Sequence, residues 1–233
     1  MQTATTRPLT GISSMATRAV LAELAAACTQ SSAGPVRIES VGGVDAARRV
    51  QAGEVFDTVF LASEAIDKLI ASGHVLADSK VDLMRSGVSV AVRQGAVQPD
   101  IATEVALREA VRAAPSIGYS TGPSGVALLR LFERWGIAQE IASRLVQAPP
   151  GVPVGTLVAE GTVALGFQQT SELLHLGGIA LVGPLPPAVQ IVTTFSAGVC
   201  RVCSEPAAAR ALLACMASPQ AVDAKRKQGM EPV

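Results

Sequence analysis

Leu9-Thr-Gly-Ile12, Val36-Arg-Ile-Glu-Ser40 and Thr58-Val-Phe-Leu-Ala62 are three short apolar runs, and the segment on the carboxyl side of each decides the fold. The first runs into Met15–Thr29, alanine-rich and helical in pattern. The second precedes the helical stretch Val44–Gln51, which stops at Gly53, and the third precedes Glu64–Ala71, which ends at Gly73. Strand-length apolar runs alternating with helix-length amphipathic ones predict consecutive βα units. Parallel strands need crossover connections, and helices supply them. The expected class is α/β, a mostly parallel sheet covered by helices on both faces.

The texture changes further along. Ser86–Arg93 alternates Val88, Val90 and Val92 with Ser89, Ala91 and Arg93, as a half-exposed strand should. A helix is expected from Thr103 to Ala113, a strand at Pro115–Tyr119, and a long helix from Ser124 to Trp135, closed by Gly136. Strands come next at Leu145–Ala148 and Val163–Phe167, with a helix over Val154–Glu160 between them. Val189–Val202 reads as a long β stretch broken at Ser196-Ala-Gly198, and helices over Pro206–Ala217 and Pro219–Gln228 end the chain. Two long extended stretches, Asp82–Arg93 and Val189–Val202, bracket the middle third. They predict one lobe from residues 1–85 plus 195–233 and a second from 86–194, joined by two crossings that form a hinge. A ligand cleft is expected between the lobes.

Composition narrows the function. Of 233 residues 49% are hydrophobic and 16% charged, and nineteen basic residues are cancelled by nineteen acidic ones. Disordered chains have the reverse balance. With no basic run and 3% aromatics, a nucleic-acid partner is not expected. Met1–Pro8 carries no apolar secretory segment, and no apolar run approaches the ~18 residues of a membrane span. The sequence as it stands therefore reads as cytoplasmic and not membrane-inserted; removal of a leader would place it in the periplasm. Cys28, Cys200, Cys203 and Cys215 read as buried thiols, because a chain of this size can fold without disulfides. Cys200-Arg-Val-Cys203, read as part of a strand, has neither the helix N-terminus of a redox motif nor the further ligands of a zinc site. No HxH, HExxH or acidic cluster is present, so no metal or other cofactor is expected.

Chemistry is sought where strands end and helices begin, because ligands of open α/β sheets bind at that edge. Ser13 and Ser14 occupy N-cap positions, where hydroxyls either cap the helix or meet a ligand. Gly42-Gly43 precedes the second helix, where bare backbone admits a ligand closely or makes a tight turn. Ser63 opens the third. Gly118-Tyr-Ser120-Thr121-Gly122-Pro-Ser124-Gly125 carries hydroxyls and glycines into a long helix, and free N–H groups with the positive helix end make an anion site. It lacks the GxxxxGK[ST] pattern, so a carboxylate or free oxyanion suits it better than a nucleotide phosphate. Arg85, at the expected crossing, offers either bidentate carboxylate recognition or an ion pair fixing the hinge. Gln168 and Gln169 can hold a polar ligand group without adding charge. Glu172 and His175 are the nearest groups able to move a proton.

Several segments together resemble the type II solute-binding protein superfamily, in its molybdate-binding-like branch. They are Ile12-Ser-Ser-Met-Ala16, Arg48-Arg-Val-Gln-Ala-Gly53 before Phe56-Asp-Thr-Val-Phe60, Leu83–Arg93, Leu157-Val-Ala-Glu-Gly161 and Gly229-Met-Glu-Pro232. The resemblance implies a two-lobed fold with a two-crossing hinge. Molybdate-binding members hold the oxyanion with serines of the first two βα loops and a late tyrosine. Ser14 matches the first serine, but Gly43 stands near the second and Gln169 near the tyrosine, which puts a tetrahedral metal oxyanion in doubt. Gly166-Phe-Gln-Gln-Thr-Ser-Glu172, Leu181-Val-Gly-Pro-Leu-Pro186 and Thr194-Phe-Ser-Ala-Gly198 look like the sub-branch that includes aconitate isomerase. Two functions stay open at this point. One is a cofactor-independent isomerase acting on a small polycarboxylate; the other is a non-catalytic anion-binding protein serving an ABC transporter.

Overall fold

In the computed structural model, residues 7–29 and 34–233 are described. Residues 1–6, most of the segment read above for a leader, lie outside the described residues. The chain opens with β1 (Leu9–Ser14), α1 (Arg18–Cys28), β2 (Val36–Val41), α2 (Gly43–Gln51), β3 (Thr58–Ala62), α3 (Ser63–Ala71) and β4 (Val81–Arg93). It continues with α4 (Glu104–Ala113), β5 (Ile117–Tyr119), α5 (Pro123–Arg134), α6 (Ala138–Ile141), β6 (Leu145–Gln147), α7 (Val154–Ala159), β7 (Leu165–Gln169) and α8 (Thr170–Leu173). The last elements are β8 (Ile179–Pro184), β9 (Val192–Val199), α9 (Pro206–Ala217), α10 (Val222–Lys227) and β10 (Glu231–Pro232). The described chain forms two compact units, residues 1–85 with 194–233 and residues 86–193, and passes between them within β4 and again within β9.

The first unit is built on β2-β1-β3, all parallel, with β9 added antiparallel to β3. Alternation along β3 separates its two faces. Phe60 joins a core with α1 and α9 (Val20, Leu21, Leu24, Leu212, Leu213, Met216), whereas Val59 and Leu61 join Ala46, Val50, Ile66 and Leu69 under α2 and α3. The Arg48-Arg49 motif serves this packing. Arg49 stacks on Phe56, reaches Glu39 of β2 at 2.6 Å and holds Glu54 at 2.7 Å. Asp57, fully buried before β3, accepts from Arg7 at 2.7 Å and from the Thr10 N–H at 2.8 Å.

The second unit has its own parallel set, β6-β5-β7, with β4 antiparallel to β7 and β8 antiparallel to β4. Val88, Val90, Val92, Leu165 and Phe167 share a core with Leu107, Val111, Leu128 and Phe132 of α4 and α5. On the other face α7 lies close to β7. A Cβ on Gly166 would stand 2.5 Å from Val158, so only glycine permits that approach.

Four expectations change. The sheets are mixed, because the strands that carry the chain between units run against their neighbours, and β8, whose half-buried residues lack clean alternation, is an additional strand. The β stretch near the end is shorter but unbroken through Ser196-Ala-Gly198, since these residues pair in register with β3. Cys200 and Cys203 lie in a turn closed by Cys203 N–H to Cys200 O, not in a strand. Both are free thiols that burial pushes up, to about 12 and about 11. Finally, Cys28 and Cys215 are not thiols: they form a disulfide between α1 and α9. Core size sets whether a cross-link is needed, not whether two cysteines meet, and these meet because the two helices pack side by side in one core. Among the described residues no helix is long and apolar enough to cross a membrane.

The bridge spans 187 residues of sequence, so it removes much freedom from the unfolded chain. Replacing Cys28 and Cys215 by serine is expected to lower unfolding stability by about 3 kcal/mol, measured by urea denaturation. Cys200→Ser is expected to leave the reducible fraction of that stability unchanged.

Candidate functional site

Parallel strands share a direction, so their carboxyl ends collect at one edge, and in each unit three of them lead into helices. In the first unit these junctions are β1 into a short 3-10 turn and α1, β2 into α2, and β3 into α3. Ser13 and Ser40 are opposite one another in the β1–β2 register, and their hydroxyls bond at 2.7 Å. Ser14 comes next in the chain and has a different fate. It is 8% exposed, makes no capping bond, and its Oγ is buried without a hydrogen-bond partner among the described residues. Gly43 stands beside it: a Cβ there would lie 3.4 Å from Ser14 Cβ and 3.9 Å from Leu61. Gly42 and Gly43 thus leave bare backbone next to a lone hydroxyl. Gly42 has ordinary φ of −57°, so close approach and not a left-handed turn is what glycine provides. Ser63, half-buried, is the first residue of α3.

The second unit gathers β5 into α5, β6 toward α7, and β7 into α8. Ser120 and Ser124 face each other at 3.3 Å. A Cβ on Gly125 would fall 1.9 Å from the Ser120 carbonyl oxygen, so the loop Ser120-Thr121-Gly122 folds back onto the helix start only because that residue is glycine. Pro123 and Ser124 open α5; proline has no N–H, and Gly125 and Val126 donate to the Gly122 carbonyl at 3.0 and 3.2 Å, so in the first turn the Ser124 N–H is the one without an acceptor among the described residues.

The two glutamines diverge. Gln168 is 3% exposed and fully occupied: its Oε1 accepts from the Gly155 N–H at 3.2 Å and its Nε2 donates to Glu172 Oε1 at 2.8 Å. Gln169 donates from Nε2 to Thr193 Oγ1 at 2.8 Å, while its Oε1 is buried without a partner. Thr170 is fixed by Ser89 at 2.7 Å and by donating to the Gly87 carbonyl at 2.9 Å. Burial pushes the Glu172 carboxyl up to about 7, against the single donor from Gln168, which holds it lower.

Several expected residues stand apart. His175 is exposed, on the turn after α8, and makes no contact with Glu172 among the described residues. Arg85 is exposed, and its side chain has neither a carboxylate nor any other polar partner there; the ion pair that would fix a hinge is not formed. Gln168 is turned inward, toward α7 and Glu172. Gly155, Thr193 and Ser40 are partners that sequence reasoning missed. Gly155 gave no signal at all, since a backbone N–H is present in every residue except proline. No group of three or more His, Cys, Asp or Glu among the described residues is placed to hold a metal ion.

With this geometry in view, residues 9–231 match the model of the bacterial extracellular solute-binding proteins. The chain belongs to that family. Within it, the chain is 41% identical over 186 residues to aconitate isomerase from Pseudomonas sp, covering 79% of this chain and 71% of that protein. Its fold is that of the periplasmic molybdate-binding protein of Azotobacter vinelandii, with a TM-score of 0.78 at 20% identity, covering 95% and 98% of the two chains. The sulfate-binding protein SubI of Mycobacterium tuberculosis H37Rv gives the same TM-score, 0.78, at 15% identity over 98% and 88%. In this chain a titratable carboxyl, Glu172, lies in α8 directly after β7.

These side chains carry two expected outcomes. Glu172 is raised in the folded state above its unfolded value, so its contribution is fully present below about pH 4.5 and is lost as pH rises through about 7. Glu172→Gln is therefore expected to be neutral near pH 4 and to stabilise by on the order of 2 kcal/mol at pH 8, read as Tm against pH. Ser14→Ala removes a buried hydroxyl with no partner among the described residues, so the protein without ligand is expected to gain about 1 kcal/mol of stability, read by thermal unfolding.

Proposed function

We propose that this solute-binding protein takes a small polycarboxylate and shifts a proton and a carbon–carbon double bond within it. The observation that carries the reading is Glu172, in α8 directly after β7, whose carboxyl takes one hydrogen bond from Gln168 at 2.8 Å, has no charged partner among the described residues and is pushed up to about 7 by burial. A group that titrates near the working pH serves both as base and as acid. In the ionised form it takes a proton from the saturated carbon beside the double bond. The C–H electron pair becomes the new double bond, and the old π pair moves to the far carbon, its charge spread onto the attached carboxylate. The protonated Glu172 then returns the proton to that far carbon, so no electrons are gained or lost overall and no co-reactant is required. The Ser124 N–H at the start of α5, with the Ser120 and Ser124 hydroxyls, is suited to a carboxylate that gains charge in the transition state. Ser14 and the backbone at Gly43 offer a second uncharged donor set for an anionic oxygen. The likeness to aconitate isomerase supports the reading and suggests aconitate as the first substrate to try.

The disulfide favours a second reading. Such bonds persist in oxidising compartments, so Cys28–Cys215 supports a location outside the cytoplasm, where a receptor passes an anion to an ABC transporter without altering it. Incubation with cis- and trans-aconitate, monitored by ultraviolet absorbance and NMR, separates the two. Interconversion is expected, with loss of about 100-fold or more in Glu172→Gln. Saturable binding with no conversion in the unaltered protein would establish the receptor instead. In either case Ser14→Ala is expected to weaken anion binding by about tenfold, read as a smaller ligand-induced rise in Tm across molybdate, sulfate, citrate and aconitate.

A further inference from the structure

We infer that Gln168 is a positioning residue that holds and orients the Glu172 carboxyl, and that it does not itself touch the ligand. The inference rests on the proton-transfer role proposed for Glu172, and its geometry can be tested independently of that role. Gly155 is the second residue of α7, so its N–H belongs to the first turn and has no acceptor within the helix. It can only donate, and it meets Gln168 at Oε1. The other end of the amide must then be Nε2, and Nε2 meets Glu172 Oε1. One backbone donor thereby fixes which end of the side chain faces the carboxyl. A flipped amide would set an NH2 against an N–H and an oxygen against a carboxylate, both repulsive. Swinging Gln168 toward a ligand would strand the Gly155 donor and strip Glu172 of its partner, in a residue already 3% exposed.

The arrangement needs α7 held against β7, and Gly166, lacking a Cβ, permits that. It also leaves Glu172 with few influences. Burial and the Gln168 donor are the two that act on its acidity, and neither His175 after α8 nor Glu160 after α7 contributes. Burial raises the pH below which the carboxyl stops acting as a base, and Gln168 lowers it while fixing the direction in which the carboxyl points. Gln169 is the contrasting neighbour, tied at one end only and with Oε1 unspoken for.

The test uses the full chain with Gln168→Met, which keeps length and apolar bulk but donates nothing. Three readouts are taken: the carbon-13 NMR titration of the Glu172 carboxyl, the pH profile of kcat/KM on trans-aconitate, and the affinity for trans-aconitate. The Glu172 midpoint is expected to rise by about one pH unit, the acidic limb of kcat/KM to move with it, and affinity to stay within about threefold. A midpoint that does not move overturns the inference. So does a loss of affinity of about tenfold or more, which would make Gln168 a ligand contact. Should Gln168→Met fail to fold, the unaltered protein still decides. The Gly155 amide and Gln168 side-chain amide resonances must titrate with the Glu172 midpoint, and their indifference to it overturns the proposal. Absence of turnover at every pH, with those titrations intact, sinks the isomerase reading alone.

Discussion

Parallel strand pairing is the constraint on which the rest of this molecule depends. Once β2, β1 and β3 run the same way, and β6, β5 and β7 likewise, every strand in each set must leave the sheet at one edge. Each exit exposes a helix N-terminus and the polar side chains that flank it. That edge cannot be made apolar without burying N–H groups that have no acceptor. Evolution of such a fold is therefore a choice of which polar atoms to pair internally and which to leave for something else. Most are paired here: Ser13 with Ser40, Thr170 with Ser89, Gln168 with Gly155 and Glu172. Two are not. Ser14 Oγ and Gln169 Oε1 are buried at strand-to-helix junctions, one in each unit, without a partner among the described residues. Leaving such a group unsatisfied costs about 1–3 kcal/mol, so each junction retains an atom with unused hydrogen-bonding capacity.

The two edges differ in kind. In the first unit the junction residues are hydroxyls and glycines, with nothing to titrate in the working range. Such hydroxyls and bare backbone can meet an anionic oxygen by hydrogen bonds, while Asp45 and Glu64 sit in the first turns of α2 and α3. In the second unit the helix after β7 carries Glu172, a carboxyl pushed up to about 7 by burial. Placing a carboxylate near an anionic guest is unfavourable unless the carboxyl can be protonated or is needed as a base. The proton transfer proposed for Glu172 would use both forms of the carboxyl.

The fold was legible to the extent that local pattern determines it. Thr58–Ala62 and Pro206–Ala217 fall where the apolar runs and their flanking turn residues put them, and Thr103 caps α4 by accepting from the Ala106 N–H. The disulfide was not legible, because Cys28 and Cys215 are adjacent only once two helices distant in sequence share a core. The site was legible in outline. Loops of serines, glycines and glutamines announced a polar edge, and Ser14 and Glu172 stood in them. What the sequence could not reveal is direction. Ser13 and Ser14 are neighbours of the same type, yet alternation along β1 commits one hydroxyl to Ser40 and leaves the other alone. Gln168 and Gln169 part for the same reason.

Period-two alternation thus does more than divide core from surface. At the end of a strand it assigns consecutive identical residues to separate tasks, one supporting the scaffold and one left available. Gln168 faces α7 and braces the carboxyl; Gln169, pointing the other way, reaches Thr193 and keeps an acceptor in reserve. Thr193 can also donate its hydroxyl, so the Gln169 amide can reverse and present Nε2 in place of Oε1 at no loss of bonding to Thr193. Gln168 has no such freedom, because Gly155 can only donate. Two adjacent amides therefore give the edge one whose orientation is fixed and one whose orientation is free to reverse, a division that a pair of charged residues could not provide.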